Sequence, residues 1–211
     1  ERGEWSLEAE GVLRKSAVRG QPAVQIEAAT LGSGRVISAG ANPFNGGAWV
    51  AGTNRVLSIG RDGSVKSSRK MLAGGRSALL AADEAVWIRE ESALRGISLR
   101  QEGDRTVALA PETRGAVESW DVDAVRGLAW LGSGTKLFGI DLRDGRLSRV
   151  IDVPSAVRFI AYDHATGRLW ALLVDRVMAF DQTGAPRFSR SNTLLRLDAP
   201  DAARFSDELG V

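Results

Sequence analysis

Cysteine is absent from this 211-residue chain, histidine occurs once (His164), and lysine occurs four times (Lys15, Lys66, Lys70 and Lys136). Without cysteine, disulfides and thiolate-bound zinc are excluded. The same absence fits an exported bacterial protein as well as a cytosolic one; a periplasmic or extracellular compartment is the expectation over the cytoplasm. Long hydrophobic runs are missing too. No stretch approaches the roughly 18 consecutive apolar residues of a membrane-spanning helix, so no membrane span is expected. Convincing helical periodicity is also missing, with residues 201–209 coming nearest. Nor is there a strong charge imbalance. The formal net charge is +2, from 28 basic and 26 acidic residues. That is far from the clustered excess of a nucleic-acid binder, and no nucleic-acid partner is expected. Arginine dominates the basic set; it keeps its charge at high pH and suits bidentate contacts to carboxylate or phosphate. Genome base composition accounts for the same bias. The chain begins at Glu1, with no Met and no charged-then-apolar leader. It is therefore expected to be a processed product or an excised piece of a longer protein.

What is present is a repeat. Trp5, Trp49, Trp87, Trp130 and Trp170 follow one another at gaps of 44, 38, 43 and 40 residues. Seven positions after each stands Val12, Val56, Leu94, Leu137 or Val177. Ten positions after stand Ile59, Ile97, Ile140 and Phe180, with Lys15 in the first copy. Nine positions after stand the small residues Ser58, Gly96, Gly139 and Ala179, with Arg14 in the first copy. Trp120 falls outside this register. Since alternate residues of a strand face opposite sides, the small positions are expected to let a neighbouring sheet approach closely. Asp62-Gly63, Glu102-Gly103, Asp144-Gly145 and Thr183-Gly184 follow the second apolar run of four copies, a strong hairpin signal. A further apolar run precedes each tryptophan and another follows each glycine. Each unit thus reads as four antiparallel strands, a to d, with the tryptophan on strand b. Sheets of this kind cannot bury their own faces and must pack side by side.

Four-stranded sheets repeated every ~40 residues arrange radially, so the expected fold is all-β, a β-propeller of five blades. The blades are expected at about 34–71, 76–109, 114–151, 157–190, and 194–211 joined with 1–30, within a single domain spanning 1–211. The first segment lacks a strand a and the last ends before any tryptophan. The C-terminal strand is therefore expected to pair beside strand b of residues 4–10 and close the ring, removing two sheet edges. The segment Tyr162-Asp163-His164-Ala165-Thr166-Gly167-Arg168-Leu169-Trp170, followed by Val177-Met178-Ala179-Phe180-Asp181, resembles the blade motif of NHL-type, gluconolactonase-like and two-component-regulator propellers. Trp49-Val50-Ala51-Gly52-Thr53 looks like the same motif. A second resemblance is to the tyrosine-aspartate repeats of RHS shells, echoed at Tyr162-Asp163, Gly167-Arg168-Leu169 and Asp144-Gly145-Arg146-Leu147; those repeats run at about half this period.

The lyase and lactonase branches of the propeller families imply a catalytic His or a carboxylate metal cluster facing the channel. His164 stands alone in the turn between strands a and b, without a partner that would orient it as a base or companions that would share a metal. Asp62, Asp83, Asp104, Asp123, Asp141, Asp144, Asp152, Asp163 and Asp181 follow strands, where aspartate is usually a turn residue. Asp121 and Asp123 offer two oxygens to a hard cation, which needs six or more. Gly32-Ser33-Gly34 and Gly132-Ser133-Gly134 precede no helix and are not phosphate loops. No catalytic residue, metal or cofactor is expected. The most suggestive constellation is basic: Arg35, Arg76, Arg114, Arg158 and Arg204 at the start of strand a, and Arg55, Lys136 and Arg176 six positions after a tryptophan. In a propeller these would converge at one channel mouth and draw an anionic ligand or another protein. Solvated or carboxylate-paired arginines are the plainer account of the same residues. The expectation is a non-enzymatic, monomeric propeller scaffold, a module of a larger bacterial protein. The alternatives are a lyase or lactonase and a piece of an RHS-type shell or secreted toxin assembly.

Overall fold

The computed structural model describes residues 5–7, 12–15, 23–27, 32–71, 75–100, 103–114 and 117–191. The side chains of Trp5 and Val12, residue Arg204, the closing strand expected within 194–211 and the stretch 201–209 lie outside them. The described residues are all-β, with one 3-10 turn at Pro111–Thr113. The chain divides into two compact units, Glu1–Leu109 and Ala110–Val211.

Three sheets belong to the first unit. One joins β1 (Trp5–Leu7), β2 (Val12–Lys15) and β3 (Val24–Glu27). The next joins β4 (Val36–Asn42), β5 (Gly47–Gly52), β6 (Arg55–Ile59) and β7 (Val65–Lys70). The third joins β8 (Ser77–Leu80), β9 (Ala85–Arg89), β10 (Ala93–Ser98) and β11 (Asp104–Ala108). The second unit has two: β12 (Ser119–Asp123), β13 (Leu128–Ser133), β14 (Lys136–Asp141) and β15 (Leu147–Asp152), then β16 (Val157–Asp163), β17 (Arg168–Leu173), β18 (Arg176–Phe180) and β19 (Pro186–Ser191). Every pairing is antiparallel between sequence neighbours; within the four-stranded sheets the connections are two to five residues long. Among the described residues the first sheet has three strands, which correspond to b, c and d of the other sheets.

Strands b and c of the three sheets from β4 to β15 are buried on both faces, whereas β17 alternates; the alternation of side chains decides which neighbour each residue meets. Trp49, Ala51 and Val56 pack with Val86, Ile88 and Ile97 of the β8–β11 sheet. The intervening Ala48, Val50, Leu57 and Ile59 pack with Val24 and Ile26 of β3. In the second unit Trp130, Leu137 and Val153 meet Val157, Ile160, Leu169, Ala171 and Phe180. Double burial explains why these strands read as continuous apolar runs rather than alternating ones.

The small residues nine positions after each tryptophan have a different role from the expected one. They lie directly opposite the tryptophan within its own sheet: Trp49↔Ser58, Trp87↔Gly96, Trp130↔Gly139 and Trp170↔Ala179. The indole lies over that position. A Cβ added at Gly96 would stand 2.9 Å from the Trp87 ring, and one at Gly139 would stand 3.1 Å from the Trp130 ring. Close approach of a neighbouring sheet occurs elsewhere, at Gly132, where a Cβ would meet Val157 Cγ1 at 2.6 Å. The first copy breaks the pattern because its pairing is offset by one residue, Trp5↔Lys15, so Arg14 never faces the tryptophan position. Trp87 and Trp130 are fully buried and Trp49 nearly so. Trp170 is half-buried, covered by Phe188 of β19 at 5.7 Å between ring centroids, and Phe188 is itself 41% exposed.

The turns follow from side-chain acceptors and left-handed glycines. Asp62, Asp141, Asp144, Asp163 and Asp181 each accept the backbone N–H two residues on. Gly63 and Gly145 supply the positive φ (79° and 75°) that the Asp-Gly pairs imply.

Replacing Trp87 with alanine is expected to cost about 3–5 kcal/mol in denaturant unfolding. Gly96→Ala is expected to cost about 1–3 kcal/mol by overpacking against the indole. The second cost should vanish in the Trp87→Ala background, a non-additivity that a sheet-approach role for Gly96 would not produce.

Candidate functional site

Strand pairing places the basic residues singled out above sheet by sheet. In β4–β7, Arg35 precedes β4, Arg55 opens β6, and Lys70 closes β7 directly opposite Arg55. The turn at Thr53 and Asn54 ties them to one end: the Arg35 N–H donates to Thr53 Oγ1 at 3.2 Å, and the Met71 N–H donates to the Asn54 carbonyl at 2.7 Å. In β8–β11, Arg76 sits at the equivalent end and pairs with Glu91 at 3.1 Å. Arg89 is buried beside it; burial first, then the charge of Arg76, lowers the affinity of its guanidinium for the proton. Glu90 binds Arg95 at 3.0 Å, so two carboxylates answer Arg76 and Arg95 at this end.

In the second unit Lys136 pairs with Asp152 at 2.5 Å, and Arg176 with Asp175 at 2.7 Å. Arg158 is exposed and is the extra residue of a β-bulge between Val157 and Phe159. Arg114 follows the 3-10 turn, while strand a of its sheet begins only at Ser119; it is not a strand-start residue, and the shift arises because residues 111–113 form that turn. Arg204 lies outside the described residues. Among the described residues, Arg76, Lys136 and Arg176 are thus in solvated ion pairs, which contribute little to stability.

A polar cluster that sequence reasoning had only half in view lies in the second unit, where β12 meets β16. Ser119 Oγ accepts the Ile160 N–H at 3.1 Å, and Asp121 Oδ2 accepts the Tyr162 N–H at 2.6 Å. The other Asp121 oxygen accepts the Val122 N–H at 2.7 Å. Side chains two residues apart on one strand therefore satisfy backbone donors two residues apart on the first strand of the next sheet. Burial raises the Asp121 pKa above the ordinary aspartate value, although both hydrogen bonds pull it down. Asp123 is buried and holds Arg126 Nη1 at 3.0 Å. The same guanidinium nitrogen donates to the Tyr162 hydroxyl. Burial, then the hydrogen bond and charge of Asp123, push the Tyr162 phenol up to about 12. His164 meets the Tyr162 ring edge-on at 5.2 Å. Asp121 and Asp123 were legible as a pair; their engagement with Tyr162 and Arg126 was not, because it depends on which strands become neighbours. One Asp121 oxygen thus ties β12 to β16, and the other takes the next amide of its own strand. Among the described residues no three His, Asp or Glu side chains are grouped to hold a metal ion, and no helix is long and apolar enough to cross a membrane.

No protein-family model matches the sequence, and no curated protein matches it. Among solved structures the chain is similar to the Pan2 WD40 domain of Neurospora crassa, with a TM-score of 0.53 and 11% identity over 75% of this chain and 50% of that one. It is also similar to hydrazine synthase of Kuenenia stuttgartiensis, with a TM-score of 0.52 and 11% identity over 70% of this chain and 46% of that one. The chain spans about half the length of these structures. At this identity the likeness carries the fold: the chain is an all-β protein of the β-propeller class.

Tyr162 is the chain's one tyrosine, so ultraviolet titration reads it alone; its midpoint is expected near 12 rather than the ordinary 10. Its folded pKa lies above its unfolded one, so its stabilising contribution holds below about 10 and is lost as pH rises toward 12. Carboxyl NMR should find Asp121 titrating above 3.8, and Asp62 and Asp141 at about 2. The signs differ. The contributions of Asp62 and Asp141 are present above about 3.8 and lost as pH falls toward 2, whereas that of Asp121 is greatest in acid and declines as pH rises through its folded pKa. Asp121→Ala, which strands the Tyr162 N–H, is expected to cost about 1–3 kcal/mol in denaturant unfolding.

Proposed function

We propose that the chain is a non-catalytic propeller module, of the NHL-like kind its blade motif resembles, that binds another protein through the strand-start ends of its sheets. One observation carries this reading. In each four-stranded sheet the end shared by the start of strand a and the b–c turn presents cations: Arg35 and Arg55, Arg76, Lys136, and Arg158 with Arg176. Loop ends on a rigid sheet scaffold are where binding residues concentrate, and exposed charge speeds and orients an oppositely charged partner. The groups best suited to acid–base chemistry are engaged in the fold, Asp121 on two backbone donors and Asp123 on Arg126. Of the two similar structures, one is named as an enzyme, hydrazine synthase, and the other as a WD40 domain; neither name transfers an activity at 11% identity.

Affinity capture with the purified chain, eluted by salt and identified by mass spectrometry, is expected to yield a protein partner released at high ionic strength. Arg76→Ala combined with Arg158→Ala should reduce that capture. Undiminished capture by the double variant, or turnover of a lactone or lyase substrate that His164→Ala abolishes, would overturn the reading.

A further inference from the structure

The cations of this chain are not evenly distributed. Residues 32–71, which contain the β4–β7 sheet, hold six cations (Arg35, Arg55, Arg61, Lys66, Arg69, Lys70) against one anion, Asp62. That is +5 within a chain of net +2. Residues 76–109, the next sheet, hold five cations against six anions. The one carboxylate of the β4–β7 segment is taken up at the c–d turn, on Ser64 and Lys66, away from the strand-start end. There Arg55 and Lys70 stand directly opposite each other across β6 and β7, both exposed. Like charges in that relation are unfavourable. Arg55 Nη1 donates to Ser68 Oγ at 2.8 Å, and among the described residues neither Arg35, Arg55 nor Lys70 has an ion-pair partner. The equivalent ends of the other four-stranded sheets carry their own acids: Glu91 on Arg76, Asp152 on Lys136, Asp175 on Arg176.

We propose that the strand-start end of the β4–β7 sheet, formed by Arg35, Arg55 and Lys70 around the Thr53–Asn54 turn, is a docking surface for a carboxylate-rich segment of a partner protein. The proposal deepens the protein-binding reading and rests on it. Charge complementarity selects the occupant: two guanidinium groups suit bidentate carboxylate contacts, and exposed Asn54 adds a donor. A single-stranded nucleic acid is disfavoured because this end offers no aromatic platform for stacked bases; Trp49 is buried, and Phe44 stands in the turn at the opposite end of the sheet. Lysines on an outer strand also discourage edge-to-edge pairing, which accounts for Lys66 and Lys70. It does not account for Arg55 opposite Lys70, or for Arg35 beside the inner strand.

The test uses the full chain and a short fluorescein-labelled peptide alternating Glu and Ser, with anisotropy as the readout, and a single-stranded oligonucleotide of equal length as competitor. The peptide is expected to bind salt-sensitively. Arg55→Ala with Lys70→Ala should weaken it roughly tenfold or more. Arg143→Ala with Arg146→Ala, which removes ion-paired cations of the β14–β15 turn, should leave it unchanged. Lys70→Glu should abolish peptide binding while raising the melting midpoint, because it turns a like-charge pair into an opposite one; circular dichroism checks that each variant is folded. Unchanged affinity in the Arg55/Lys70 variant, retained affinity in Lys70→Glu, or tighter binding of the oligonucleotide overturns the proposal. Loss of the peptide in Arg158→Ala instead also overturns it, while leaving the protein-binding reading standing.

Discussion

Each indole of the repeat needs a flat place to lie, and the neighbouring strand supplies one by carrying almost no side chain. Trp87 over Gly96 and Trp130 over Gly139 are the clearest cases. From that contact the rest of a blade follows. The indole fills the face of its own sheet, so residues of the next sheet, such as Val86 and Ile97 against Trp49, pack on a continuous apolar surface. The opposite face of the same two strands is then free to take small aliphatic residues, as Ala48, Val50 and Leu57 do against Val24 and Ile26. Interiors are close-packed, so the small and the large residue of each cross-strand pair behave as one unit.

Polar groups are divided between two tasks. At the turns, side-chain donors and then backbone N–H groups hold aspartates at low pKa values; Asp62, Asp141 and, through Arg176 and Ser155, Asp175 sit near 2. Between β12 and β16 the opposite regime holds, and burial lifts Asp121 although it is equally well hydrogen-bonded. Exposure and partner charge decide the sign: for a solvated carboxylate with cationic donors the desolvation penalty is the smaller contribution, and for a buried one it is the larger. The cations follow a similar division, carboxylate-paired at the ends of three sheets and uncompensated at the end of β4–β7.

Strand identity and order were legible in the chain because the tryptophan interval, the Asp-Gly turns and the apolar runs all report local geometry. The position nine after each tryptophan reads as small, but spacing along a strand does not say whether a ring or a neighbouring sheet occupies the space above it, and here it is the ring. The arginine set suffered from the same limit. Arg114 reads like Arg35 in a linear alignment, but the 3-10 turn at 111–113 delays its strand to Ser119. Arg158 stands on a bulge, a one-residue slip that changes where a side chain points and leaves no mark in the sequence. The link between Asp121 and the Tyr162 N–H joins residues 41 positions apart, beyond anything a local pattern encodes.

That same link bears on how such an array evolves. Where neighbouring repeats touch only through greasy faces, one can be duplicated, deleted or transplanted with modest consequence, because any apolar neighbour serves. The junction between β12 and β16 is instead keyed: Ser119 and Asp121 meet amides of Ile160 and Tyr162 at matched spacing. A transplanted copy arriving beside β16 with leucine in place of that aspartate would leave a buried amide unanswered. These two sheets therefore fit each other through a polar key that neither carries alone, a small grammar of adjacency written into an otherwise repetitive text.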